Sequence, residues 1–80
     1  MSKRILSANE IQQLLQSRVN SIREIVDDKA TVKVPLPYWH AEDENGFNWG
    51  INTVSNAAGY IDSIVIEIEK LRREVNLKQS

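Results

Sequence analysis

The residues with chemistry to offer lie close together in one stretch of the chain. His40 is the only histidine among 80 residues, and Glu42, Asp43 and Glu44 follow it closely. Imidazole with carboxylates is a frequent metal-ligand set, and histidine beside an acid is the usual acid–base pair. On an extended strand His40, Glu42 and Glu44 project to one face and Asp43 to the other. One nitrogen and two carboxylates are thus candidates for a metal or small-ligand site, with Trp49 beside them. A chain with one histidine and no cysteine cannot build a multi-histidine or thiolate site by itself. The plainer reading is a solvated acidic turn whose charges protect a hairpin tip from aggregation. No metal, cofactor or catalytic residue is assigned on this basis. A calcium loop fails on spacing. With Asp43, Asn45 and Gly46 at its third, fifth and sixth positions, Ala41 and Asn52 would fall where Asp and Glu are required.

The same stretch holds Tyr38, Trp39, Phe47 and Trp49, four of the five aromatic residues. Exposed aromatics on a sheet can stack bases, but such surfaces also carry cations for phosphate. Residues 38–50 contain three acids and neither lysine nor arginine. Phe47 and Trp49 are therefore expected in the core. Trp39 is read with them or, where exposed, with Tyr38 as a partner-contact surface. Ile66 and Arg73, opposite the apolar stripe of the last helix, are a second contact candidate. Lys70, Arg72 and Arg73 cluster late in that helix and are weak nucleic-acid anchors. A net charge of −1 gives no global field toward polyanions, so nucleic acid is disfavoured.

These residues must be positioned by elements that the chain signals locally. Ser7-Ala8-Asn9-Glu10 is a capping box, and Leu6 and Ile11 stand where a hydrophobic staple would place them. Ile11, Leu14, Leu15, Val19, Ile22, Ile25 and Val26 then fall within an arc of about 140°. That spacing predicts a helix over 8–27, ended by Asp27-Asp28-Lys29. From Thr31 the period becomes two, with Val32, Val34 and Leu36 facing inward, which predicts a strand over 31–41. Pro35 and Pro37 make it an edge strand or bend it. Asn45-Gly46 marks a hairpin turn, and Phe47, Trp49 and Ile51 alternate in a second strand over 47–54. A three-residue loop with Gly46 left-handed would set Trp39 opposite Ile51; a two-residue loop would oppose Trp49 to Glu42, a poorer match. Ser55 or Asn56 caps the last helix, expected over 56–76. Ala57, Tyr60, Ile61, Ile64, Val65, Ile68, Leu71 and Val75 form its apolar stripe, and Glu69 pairs with Arg73 outside it. Residues 1–5 and 77–80 are expected to be frayed.

The expectation is one small α+β domain over 1–80, a helix–β-hairpin–helix (αββα) with a two-stranded antiparallel sheet covered by two amphipathic helices. Two strands are marginal alone, and a core of this size gains only about 3–5 kcal/mol. With no cysteine to staple it, homodimerisation is the expected reinforcement. The sequence has no apolar run of membrane-spanning length and no signal-peptide stretch, which predicts a cytoplasmic protein that avoids membranes. The stretch from Pro37-Tyr38-Trp39-His40 through Asp43, Gly46, Asn48 and Trp49 resembles short bacterial and prophage reading frames that carry no assigned activity. The expected function is a non-enzymatic protein-interaction module, homodimeric, of bacterial or phage type. The alternatives are a small-ligand or metal site around His40, and a weak nucleic-acid binder through the basic end of the last helix.

Overall fold

In a computed structural model that describes residues 3–78, the capping box closes as its spacing requires. Ser7 Oγ accepts from the Glu10 N–H at 3.2 Å, and Glu10 Oε1 accepts from the Ser7 N–H at 3.0 Å. Helix α1, Ala8–Asn20, follows and buries Ile11, Leu15 and Val19. One continuous helix to residue 27 does not form. The Ser21 hydroxyl donates to the Ser17 carbonyl at 3.0 Å, a local bond that competes with the helical ladder. Ile22 is extended, and the chain restarts as α2, Arg23–Asp28. The break keeps Ile22 and Ile25 in the core but turns Val26 out to solvent. Lys29, left-handed at φ 53°, closes α2 at the expected turn.

The hairpin is present, but only fragments of it are hydrogen-bonded. Strands β2, Tyr38–Trp39, and β3, Trp49–Gly50, pair antiparallel. An isolated bridge between Lys33 and Ser55 extends the pairing beyond Pro35 and Pro37. From Lys33 to Tyr38 and from Gly50 to Ser55 the chain advances equally, so one register spans the prolines. The alternation of faces does not survive them. Val32 and Val34 are buried, yet Leu36, expected inward, is 52% exposed, and Pro37 takes the inward place. Proline fixes φ and offers no N–H, so the strand is re-phased where it cannot be laddered.

At the tip the predicted three-residue loop forms. The Asp43 N–H donates to the Phe47 carbonyl at 2.9 Å, and Gly46 is left-handed at φ 80°. The next pairing joins the His40 N–H to Asn48 O at 2.9 Å, leaving Ala41 and Glu42 without counterparts. This bulge moves the register by two, so Trp39 faces Trp49 in place of Ile51. A shift of two leaves each side chain on its own face.

The last helix starts later than its apolar stripe suggests. Ser55 is committed to the bridge, while Asn56 and Gly59 are left-handed at φ 60° and 90°. Helix α3 therefore runs Ile61–Glu74, with neither Ser55 nor Asn56 as its cap. Ile64 and Leu71 are buried; Ile61 and Val65, expected in the stripe, stay about half exposed. The expected Glu69–Arg73 pair gives way to Glu69–Arg72 at 3.3 Å.

The chain ends correct the frayed expectation over the described residues; positions 1–2 and 79–80 lie outside them. Strand β1, Arg4–Leu6, pairs in parallel with β4, Val75–Leu77, and Leu6, Val75 and Leu77 join the core. Over the described residues the fold is a small α+β arrangement of three helices, the antiparallel hairpin and this parallel pair. Its element order, β1-α1-α2-β2-β3-α3-β4, differs from αββα. Among the described residues no helix is long and apolar enough to cross a membrane.

Side-chain amides close what the short strands leave open. Gln16 accepts from the Val34 N–H at 2.8 Å and donates to Val32 O at 2.7 Å, and Gln12 donates to Val34 O at 3.0 Å. Thus α1 seals the outer edge of the hairpin over Val32–Val34. Asn48 does the same for β4, donating to Leu77 O at 3.0 Å and accepting from the Leu77 N–H at 2.8 Å. The Trp49 indole donates to Val75 O at 3.0 Å, which gives the fully buried ring a partner for its N–H.

Candidate functional site

The hairpin is anchored at its tip by one arginine. The Arg72 guanidinium lies 4.6 Å from the Phe47 ring centre, with Lys3 Nζ at 4.7 Å from the same ring. A buried phenylalanine flanked by two cations is held by its quadrupole as well as by burial. Lys3 also donates to Gly46 O at 2.7 Å, tying the turn to the start of β1. Arg72 reaches Glu69 at 3.3 Å, Asp43 at 3.8 Å and His40 Nε2 at 3.4 Å. Its Nε is buried without a hydrogen-bond partner among the described residues.

Asp43 is therefore the acid that joins His40, although strand alternation sets it apart. The bulge at Ala41 and Glu42 breaks that alternation. Asp43 accepts from the Phe47 N–H at 3.0 Å and the Asn45 N–H at 2.9 Å. These bonds, the one from Phe47 foremost, hold its carboxyl below the usual value of 3.8, with the charge of Arg72 adding to them. The His40 Nδ1 lies 2.7 Å from the Ala41 carbonyl. A carbonyl only accepts, so Nδ1 carries the hydrogen in this assignment and Nε2 accepts from Arg72. Both ring nitrogens thus have partners within the chain.

The expected face of His40, Glu42 and Glu44 does not assemble. Among the described residues no group of three His, Asp or Glu side chains is placed to hold a metal ion. Glu42 lies against Gly46 beside Lys3, and Glu44 is exposed in the turn. Trp49, read as a wall of that site, is fully buried.

The basic group is divided in the same way. Lys70 pairs with Glu67 at 3.7 Å and Arg72 with Glu69 and Asp43; Arg73 is exposed. A groove of 480 Å³ between α1 and α3 is lined by Ser17, Arg18, Ser21, Glu67, Lys70 and Glu74. Its cations are matched as well, since Arg18 grips Glu74 with two bonds of 2.7 and 2.9 Å. The Arg18 bond holds the Glu74 carboxyl below its usual value.

The contact candidates have a different outcome. Trp39 is 47% and Tyr38 45% exposed, next to the exposed Leu36. Trp39 is not a core residue, although it opposes the buried Trp49. The Tyr38 ring lies over Gly50, its cross-strand neighbour, and 6.0 Å from the His40 ring. Tyr38 and His40 turn their peptide groups toward β3, so those of Trp39 point to the outer edge. Ile66 is exposed on α3 with no part in this surface assigned by the hairpin geometry.

Gln12, Gln16, Asn48 and Lys3 set the limits of the site, and none of them carries a motif that marks it. Gln12 and Gln16 share a helix face by their spacing, and that is the one signal that points to a joint role. No protein-family model, curated protein or solved structure matches the chain, so a functional reading rests on the partly sealed hairpin edge and its aromatic side chains.

Proposed function

We propose that the chain is a non-enzymatic protein-interaction module that docks a partner on the open part of the hairpin's outer edge. One observation carries this reading. The edge is closed by Gln12 and Gln16 at Val32–Val34, and just beyond it Leu36, Tyr38 and Trp39 are each about half exposed. Tryptophan and tyrosine anchor protein contacts because each buries a large area at small entropic cost. A strand edge adds directional peptide groups, the basis of recognition by strand addition.

The ligand reading has less support, because His40 spends both nitrogens inside the chain. The nucleic-acid reading has less support because Lys70 and Arg72 face carboxylates. The immobilised chain, incubated with an extract of cells that express it, tests the proposal. We expect wild-type chain to retain a specific protein that Trp39→Ser loses and Ile66→Ser keeps. Equal retention by wild type and Trp39→Ser would remove the hairpin edge as the contact surface.

A further inference from the structure

We infer that the partner fitted by this edge is a second copy of the chain, paired antiparallel through β2 with Trp39 at the two-fold axis. The inference rests on the reading of the edge as a contact surface and adds the identity of its occupant.

Three features lead to a copy of the same chain. First, Val34 to Ala41 contains no Asp, Glu, Lys or Arg. Charge, proline and bulges all protect strand edges against pairing; here charge is absent, and Pro35, Pro37 and the bulge at Ala41 and Glu42 leave a short open segment centred on Trp39. Second, the charges that flank this segment have opposite signs. Lys33 stands exposed on one side and Glu44 on the other, while Glu42, also exposed, lies beside Lys3 of its own chain. Antiparallel pairing about Trp39 brings the acidic end of each edge toward the lysine end of the other. Parallel pairing would set acids beside acids, so charge selects the antiparallel arrangement.

Third, the peptide groups are self-complementary about Trp39. Its N–H and C=O point outward and can be exchanged with those of its copy. Each Ala41 N–H then faces the other chain's Pro37 carbonyl, and Pro37, having no N–H, ends the ladder on that side. The contact is isologous, with the same patch used twice. It converts a two-stranded sheet, marginal alone, into four strands. Pro37 and the bulge at Ala41 and Glu42 confine the ladder to about residues 37–41, so the indoles carry a large share of the contact.

Sedimentation velocity of the full chain over a wide concentration range tests this. The expected result is a concentration-dependent dimer whose Kd rises about tenfold or more in Trp39→Ser. Lys33→Glu and Glu44→Lys should each weaken it about threefold, and the double variant Lys33→Glu/Glu44→Lys should restore it. Both charged positions are exposed, so this series decides the matter even where Trp39→Ser fails to fold. A chain that stays monomeric throughout overturns the second copy as occupant, while the retention experiment still judges the interaction module by itself. A dimer indifferent to Trp39→Ser and without charge-swap rescue overturns the β2 geometry.

Discussion

Tyr38 and Gly50 depend on each other across the hairpin, because the phenol occupies the space where a β-carbon would stand. A Cβ on Gly50 would lie 2.5 Å from Tyr38 Oη and 2.7 Å from Cζ. The requirement is for space, not for an unusual backbone conformation. Gly50→Ala should displace the ring and cost about 1 kcal/mol. In the Tyr38→Ala background the same change should cost much less, giving a coupling of about 1 kcal/mol in a urea-denaturation cycle. Additive costs would mean that the ring does not rest on Gly50 in solution. Arg72 makes the same point from the other side. Its charge fits a polyanion anchor, but its neighbours Glu69, Asp43, His40 and Phe47 make it the clamp of the hairpin tip.

Among the elements, the hairpin and α1 have to be understood together. Pro35 and Pro37 make a poor strand, and Gln12 and Gln16 supply the hydrogen bonds that a neighbouring strand would give. Gln16→Met keeps the length of the side chain but leaves Val32 O and the Val34 N–H unpaired at a half-buried edge. The expected loss is about 1–3 kcal/mol in urea denaturation. Gln13→Met, on the exposed side of the same helix, should change stability by no more than about 0.5 kcal/mol. Equal effects at the two positions would show that the seal contributes nothing. The periodicity that announces this hairpin is legible from Thr31 to Ile51. The proline re-phasing and the bulge at Ala41 and Glu42 are not, because both depend on which peptide groups find partners.

At the scale of the whole molecule, β1 and β4 join the two ends of the described chain, and β4 in turn is held by Asn48 and Trp49 of the hairpin. The parallel pair therefore links the core to the candidate site. Leu77 is nearly fully buried in that core. Leu77→Ala should destabilise the fold by about 2–4 kcal/mol, read from the midpoint in urea. A frayed tail would show no change.

Features settled between neighbours along the chain are the ones legible without a fold. The capping box sets the start of α1, Asn45-Gly46 sets the turn with Gly46 left-handed, and the turn at Asp27-Asp28-Lys29 ends the helical stretch, though not its break at Ser21 and Ile22. Each of these acts within a few residues, where hydrogen-bond geometry and φ preference are local. The candidate site was legible only in outline, as a stretch rich in aromatic and acidic residues. Tertiary structure decided which of those residues became core, clamp or surface. Trp49 and Trp39 are the same residue type on the same face of one hairpin, yet one is fully buried and the other half exposed. Apolar pattern states which side chains gain from being covered. It does not state whether another element arrives to cover them, and a parallel pair such as β1 and β4 has no turn to announce it.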